Sequence, residues 1–343
     1  MPSERRSMRP PESRSRPRSR GLASQRLAEY AGPLSCAIGL VVVVGLYALR
    51  QPLILSPFGL ASLANVSVAL ALAAVGQSIV LLAAGLDLSI GGQITLINCV
   101  AATTMGNSGL SIATVVVVCL LIGLCTGSIN GLLIAYGRVE PLIATFCTAF
   151  IFTGAALIIL PRPGGSIPDG FATALTDSWG PLPLSLVLLA GTVLLVWTPV
   201  FGSPLGRYIV AVGDDAESAR VSGLPVRRIE LASYMLAGLF AAVAALFLAA
   251  ETTSGDPSIG QIYTMNSIAA AVLGGVSLSG GRGTLIGPIL GSFVLAIIMS
   301  ALAVFNVSAF WQNFIEGLIL MVVLGLGGLR LLAAGNWLTL FRQ

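Results

Sequence analysis

Residues 265–304 read MNSIAAAVLGGVSLSGGRGTLIGPILGSFVLAIIMSALAV. Two apolar runs flank a glycine-rich break that holds a single charge, Arg282. An α-helix needs about 20 apolar residues to cross the hydrocarbon core of a bilayer. The stretch therefore predicts two membrane spans, 265–281 and 284–304, joined by a tight inner turn at Gly280, Gly281, Arg282 and Gly283. Glycine allows close helix approach at such a turn, and an arginine there anchors the cytoplasmic face.

The whole chain repeats this pattern. It has 343 residues, 56% hydrophobic and only 9% charged, with a mean hydropathy of +0.94. A soluble domain carries roughly 25% charged residues, so water is not the medium for most of this surface. Ten-residue alternating strands, the mark of a membrane barrel, are absent from the sequence. The fold class is all-α, a polytopic helical membrane protein of about ten transmembrane helices. The expected spans are 34–50, 62–84, 90–106, 110–136, 141–160, 182–201, 229–250, 265–281, 284–304 and 309–329. With both termini in the cytoplasm, eight arginines of the N-terminal tail and eight of the inner connections lie inside, 16 of the 18 basic residues. Only Arg50 and Arg162 fall outside, as the inside-positive bias requires.

Absences exclude several chemistries. There is no His, hence no imidazole relay or His metal site, and no metal role is expected. There is no Lys either, all basic residues being Arg. A phosphate-binding loop GxxxxGK[ST] needs its Lys to reach the nucleotide phosphates, so this chain binds no nucleotide cofactor of its own. The string LSGGRG at 278–283 differs in this from the LSGGQ signature of transport ATPases, and is read as a turn between spans. The five cysteines (Cys36, Cys99, Cys119, Cys125, Cys147) sit in apolar runs without a CxxC pair, which reads as packing.

Residues 1–30 hold eight Arg among Ser and Pro and are expected to be disordered. An Arg/Ser-rich arm can bind nucleic acid or rest on anionic lipid. Beside so many spans, a solvated cytoplasmic tail is the favoured reading, with membrane lipid and no nucleic acid as partner. No small-residue cleavage site marks it as a cleavable signal. The transmembrane domain is expected over 31–335, with a short cytoplasmic end at 336–343. Two hydrophilic connections stand out, an outer one at 161–181 and an inner one at 202–228, where Glu217 and Arg220 have the spacing of a helical ion pair. The stretch 85–91 (GLDLSIG) also echoes 275–281 (GVSLSGG) in four of seven positions; such repeats build many transporters.

Candidate site residues are few. Asp87, with Ser89 and Gly91 in GLDLSIGG (85–92), either lines a pathway or caps the helix that starts near Ile90. Glu316 lies two turns inside the last span, where lipid exposure is unfavourable. So sparse a set of charges suits an uncharged polar cargo.

AAAVLGGVSLSGGRGTLIGPILG (269–291), GLDLSIGG (85–92), RVEPLIATF (138–146), GRYIVAVGDDAESARVSGLPVRRIEL (206–231) and SAFWQNFIEGLILMVVL (308–324) together resemble the permeases of monosaccharide ABC importers, the ribose/xylose/galactoside type. The resemblance spans roughly residues 57–325. Glu140 and Glu316 depart from the family pattern. The family implies an inner-membrane, multi-pass subunit that is not itself an enzyme. Two permease chains, identical or different, form the pore. Cytoplasmic ABC ATPase subunits carry ATP and magnesium, and a periplasmic or lipid-anchored sugar-binding protein delivers the solute. It also implies a coupling helix marked by Glu-Ala-Ala and a later Gly, matched here by Glu217, Ser218, Ala219 and Gly223, with Ser218 replacing the middle Ala. Against this stand an ATP-independent secondary carrier, a membrane enzyme lacking any visible catalytic cluster, and the branched-chain amino-acid permeases; the stretches 206–231 and SLSGGRGT favour the sugar branch.

Overall fold

The structure, a computed structural model, describes residues 22–106 and 109–333. The Arg-rich tail up to residue 21 and the end at 336–343 lie outside the described residues. The first helix, α1 (Leu22–Arg50), starts ahead of its expected span. It takes residues 22–30, expected to be disordered, into a helix. LASQRLAEYA offers good helix formers and no Gly or Pro until Gly32 and Pro33.

A 3-10 turn (Pro52–Leu55) leads into α2 (Pro57–Leu82), whose first turn is capped by the Ser56 hydroxyl accepting from Gly59 N–H. There follow α3 (Ile90–Thr104), α4 (Ile112–Ala135) and α5 (Pro141–Ile159). The connection expected to be a plain loop contains α6 (Asp169–Thr176) and a small hairpin, β1 (Ser178–Trp179) with β2 (Leu182–Pro183). Next, α7 (Leu184–Thr192) runs through a π turn into α8 (Thr198–Gly202). The hydrophilic segment then folds into α9 (Pro204–Asp214) and α10 (Ala216–Val221). The chain ends with α11 (Val226–Thr252), α12 (Gln261–Leu273), α13 (Ile286–Val304) and α14 (Ala309–Ala333).

Burial sorts these helices into a centre and a shell. The apolar windows of α2 and α11 are 72% and 67% buried, against 22–28% for α1, α4, α5 and the α7–α8 helix. The shell therefore presents apolar side chains outward, among them Leu49, Phe150 and Ile158, a surface suited to lipid rather than water. Small residues set the closest packing: Gly123, Gly127 and Gly131 of α4 lie against Gly238, Tyr234 and Leu231 of α11. That spacing is the small-xxx-small stripe that lets membrane helices touch backbone to backbone.

Among the described residues, seven helices are long and apolar enough to cross a membrane. Of the three other expected spans, α14 has its apolar part at Phe310–Gly325, and two fall short in an instructive way. α3 has 15 residues and α12 has 13, so they rise only ~20–22 Å at 1.5 Å per residue, short of the ~30 Å core. Each is completed by irregular backbone, 83–89 before α3 and 253–260 before α12. Non-helical backbone at membrane depth is stable only when protein groups satisfy it, and that is the arrangement here.

These two half-length helices belong to an internal repeat. α11 packs on α4 as α2 packs on α13; α3 lies on α11 and α12 on α2; α5 covers α3 and α14 covers α12. The matching turns are DLSIG (87–91) and DPSIG (256–260). In the first, Asp87 Oδ1 accepts from Ser89 N–H at 2.8 Å and from its hydroxyl at 2.6 Å. In the second, Asp256 Oδ1 accepts from Ser258 N–H at 2.8 Å and from its hydroxyl at 2.7 Å. Gly91 and Gly260 back onto each other without room for a side chain at either. The partner of 85–91 in this repeat is thus 254–260, not the stretch 275–281 that shares its glycines and serines.

Candidate functional site

The α2–α3 turn is the centre of a dry polar cluster. Asp87, Ser89, Gln77, Gln93 and Asn130 have no exposed surface. Besides Ser89, Asp87 accepts from Gln93 Nε2, on its second oxygen, at 3.2 Å. Ser89 Oγ in turn accepts from Gln93 Nε2 at 2.7 Å and from Asn130 Nδ2 of α4 at 2.6 Å. Asn130 Oδ1 accepts from the Thr148 hydroxyl of α5 at 2.6 Å, and Gln93 Oε1 from the Thr126 hydroxyl at 3.1 Å. Gln77 of α2, in the amide orientation that satisfies both groups, donates to Asp87 O (3.0 Å) and accepts from Asp87 N–H (3.3 Å). Tyr234 of α11 donates to Leu86 O at 3.2 Å. Five helices therefore hold one turn. Both carboxylate oxygens of Asp87 face donors, which is the condition for leaving the group buried. Ser89 occupies the cap position of α3 but its hydroxyl is spent on Asp87 rather than on the helix N–H groups.

The second assembly is the α9–α10 end of the bundle. Asp215 caps α10, its Oδ1 accepting from Glu217 N–H and Ser218 N–H at 3.0 Å each, while Ser218 Oγ donates to Oδ2 at 2.6 Å. The Ser218 hydroxyl, foremost among these donors, holds the Asp215 carboxyl below its usual range. Glu217 and Arg220 form the expected ion pair at 2.6 Å; both are exposed, so it contributes little. The helix stops at Gly223, φ +84°, where Leu224 N–H reaches Ala219 O and Gly223 N–H reaches Arg220 O. This is the double hydrogen-bond stop that needs a left-handed residue. Ala219 was expected on the partner-facing side, but its side chain is buried against its own chain. A helix of six residues has one inward face, and the small Ala219 seats it on α9 and α11. Glu217, Ser218, Arg220, Val221 and Ser222 face outward.

The glycine-rich turn meets this assembly directly. α12 ends at Leu273, so the break runs from 274 to 285, longer than expected. Ser277 N–H donates to Arg282 O at 2.9 Å and Gly280 N–H to Ser277 O at 3.2 Å, which closes the turn. Arg282 is exposed on this turn, and Gly283 packs on Val276. Gly281 N–H donates to Leu82 O, the last residue of α2, at 3.1 Å. Gly213, near the end of α9, is wedged between the two: a Cβ there would overlap Leu82 O and lie 2.8 Å from Gly281 N. Gly280 touches Gly213 and Ala84 in the same way. Three segments far apart in sequence, 82–84, 213–214 and 280–281, thus meet mainly backbone to backbone.

Glu316 of α14 lies elsewhere, accepting from Asn266 Nδ2 of α12 at 2.5 Å, and is not joined to Asp87. Glu140 precedes α5 without a capping hydrogen bond. The five cysteines are unpaired. The reading of the sequence missed Gln77, Gln93, Asn130, Thr148 and Asp256, although uncharged amides inside apolar runs were there to be noticed.

A multi-pass helical bundle with an apolar shell and polar groups converging inside it defines a membrane protein of the transport class. The sequence matches, over residues 59–324, the family described as branched-chain amino acid transport system / permease component, and the chain belongs to that family. It is 31% identical to the ribose import permease protein RbsC of Bacillus subtilis (strain 168) over 83% of this chain and 89% of that protein. It is 33% identical to the autoinducer 2 import system permease protein LsrC of Enterobacter sp. (strain 638), over 86% of each chain. With the galactose/methyl galactoside import permease protein MglC of Escherichia coli (strain K12) it shares 32% identity over 85% of this chain and 92% of that one. No solved structure matches it. The protein is a transport permease component and resides in the inner membrane with multiple passes.

Proposed function

We propose that this chain is the membrane-spanning subunit of an ABC importer that carries a monosaccharide or similar small neutral polar solute across the bacterial inner membrane. The family description names branched-chain amino acids, but ribose, autoinducer 2 and galactosides are the cargo named for the relatives that cover most of its length. ATP and magnesium belong to separate cytoplasmic ATPase subunits. A periplasmic or lipid-anchored binding protein supplies solute, and a second permease chain completes the pore. About ten crossings with both termini inside fit the arginine partition, with α3 and α12 as short crossings completed by irregular backbone. The two halves of the repeat then run in opposite directions through the bilayer, a common transporter plan.

The observation that carries this reading is the backbone contact of α9 with Leu82 and Gly281. α10 is an exposed, well-capped wedge whose outward residues offer a docking face to an ATPase. A push on it passes through α9 to the end of α2 and the turn at 83–89, where Asp87, Ser89 and Gly91 hold the start of α3. On this reading Asp87 fixes a hinge and does not touch cargo. Gly280, Gly281, Arg282 and Gly283 form the other wall of the same joint.

Vesicles containing the permease, its ATPase and its binding protein test the reading. Sugar uptake should require ATP on the ATPase side, and single cysteines at Ser218 and Ser279 should react only from that side. A cysteine at Thr176 should react from the opposite side. Uptake without any ATPase present would replace the importer by a secondary carrier; uptake of leucine but no sugar would place the chain with the amino-acid permeases.

A further inference from the structure

A cavity of about 340 Å³ opens between α2, α12, α13 and α14, within the size range of a site for one small molecule. Its floor is apolar, from Leu70 and Leu295, but Asn266, Gln312, Asn313 and Glu316 line the side where α12 faces α14. Glu316 is the eighth residue of α14, about 10 Å along the helix axis at 1.5 Å per residue. One of its oxygens holds Asn266 Nδ2; the other has no hydrogen-bond partner among the described residues. The one salt bridge among those residues is Arg220 with Glu217, so no cation there neutralises Glu316. Gln312 gives its amide nitrogen to Val307 O at 2.7 Å, which leaves its carbonyl oxygen free. A half-exposed carboxylate on an open wall within a span is unfavourable against lipid. The wall therefore faces water or a polar solute.

We propose that this cavity is a solute site within the permease, with Glu316 and Asn266 taking adjacent hydroxyl groups of a neutral polyhydroxylated molecule. The assignment rests on the sugar-import reading. A carboxylate accepts from two hydroxyls in charge-assisted hydrogen bonds, and the neighbouring amides offer both donors and acceptors. A neutral polyol needs no counter-ion, and none is present in the lining. An amino acid fits less well, because its ammonium would meet Glu316 but no Arg or Lys in the wall receives its carboxylate.

The test uses the complete importer in vesicles, with radiolabelled D-ribose, D-xylose and D-galactose as probes. Whichever of these the parent complex imports, Glu316→Leu should lower its uptake about ten- to hundredfold, the loss of one or two hydrogen bonds to a charged group. Glu316→Gln, which keeps an acceptor, should fall between the two. Assembly with the ATPase and docking of the binding protein should be unchanged in both. Separately, Asn313→Cys in a cysteine-free chain should react with a membrane-impermeant thiol reagent, more slowly when the imported sugar is present. Unchanged sugar uptake by Glu316→Leu, or an Asn313→Cys variant that does not react, overturns the site while leaving the importer intact. Import of leucine and none of the sugars by the parent complex overturns the polyol assignment together with the reading beneath it.

Discussion

Gly213→Ala isolates the joint between α9, α2 and the glycine-rich turn. Gly213 is the next-to-last residue of α9, so alanine should favour the helix itself by about 0.8–1 kcal/mol. The added methyl, however, overlaps Leu82 O and lies 2.8 Å from Gly281 N. Both are main-chain atoms and cannot rotate away. Overpacking of a well-packed site costs about 1–3 kcal/mol. Separating the segments also removes the Gly281 N–H to Leu82 O hydrogen bond, and an unsatisfied buried group costs about 1–3 kcal/mol. The clash wins, with a net loss of roughly 1–5 kcal/mol once the helix gain is subtracted. Gly191→Ala in α7 is the control, because nothing lies within 4 Å of its Cβ position; it should be neutral or slightly stabilising. Thermal unfolding of the purified permease in detergent should separate the two variants clearly. ATPase co-purification with Gly213→Ala should persist, since α10 and its outward residues are untouched, while sugar uptake per ATP hydrolysed falls. If Gly213→Ala unfolds with the parent and transports with it, the three segments are not in backbone contact and the lever argument is refuted.

Three further outcomes are expected. Asp87→Leu strips the acceptor from Ser89 and Gln93 and should destabilise the permease by about 3 kcal/mol or more, by analogy with buried polar networks left unpaired; Asp87→Asn, which keeps one oxygen for Ser89, should lose less, and equal melting of Asp87→Leu and the parent would show that the turn does not depend on the carboxylate. Gly223→Val should cost about 1–2 kcal/mol through its left-handed backbone alone, because the space around it is open; Gly223→Asn should be milder, and hydrogen exchange across 216–224 reads the difference. For Asp215 the folded carboxyl titrates below its unfolded value, so its support of α10 is complete above about pH 4 and lost as the pH falls through the folded value; exchange protection of the Glu217 and Ser218 amides should drop there, and a profile unchanged by Asp215→Ala would remove Asp215 as the cap.

The apolar spans were legible because the bilayer imposes both length and composition on a helix, and no other reading of 56% hydrophobic residues survives. The end of α12 was not legible: the expected span runs to 281, whereas the helix is Gln261–Leu273 and the chain breaks at 274–285. The break before α3 was legible, the expected spans parting between 84 and 90, but the side chains that satisfy its backbone were not. Gln77 makes the point: its amide pairs with both main-chain groups of Asp87, a contact between residues ten apart across a helix end that no periodicity encodes. Ala219 was misplaced for a related reason. Composition marks a small residue on a short helix, but only the packing of α10 on α9 and α11 tells inside from outside.

The repeat was legible in principle and was read against the wrong partner. GVSLSGG shares with GLDLSIG residues that are among the commonest in this chain, Gly, Leu and Ser. DPSIG shares with DLSIG the residues that build the turn: an Asp whose Oδ1 receives the Ser two positions on, and a Gly that must lack a side chain. Matching by chemistry rather than by identity count selects 254–260 at once. The same test explains why the two turns are not equivalent in what surrounds them. Asp87 is enclosed by Gln77, Gln93 and Tyr234, while Asp256 has its own N–H on Asn98 Oδ1 at 2.9 Å and a carboxylate that is only partly covered. One copy of the motif is locked by five helices and sits beside the α9 joint; the other is held by its own loop and by α3. On the proposed import reading, the firmly enclosed turn passes on the movement of α9 and the looser one yields, because a less enclosed segment opens locally at lower free energy.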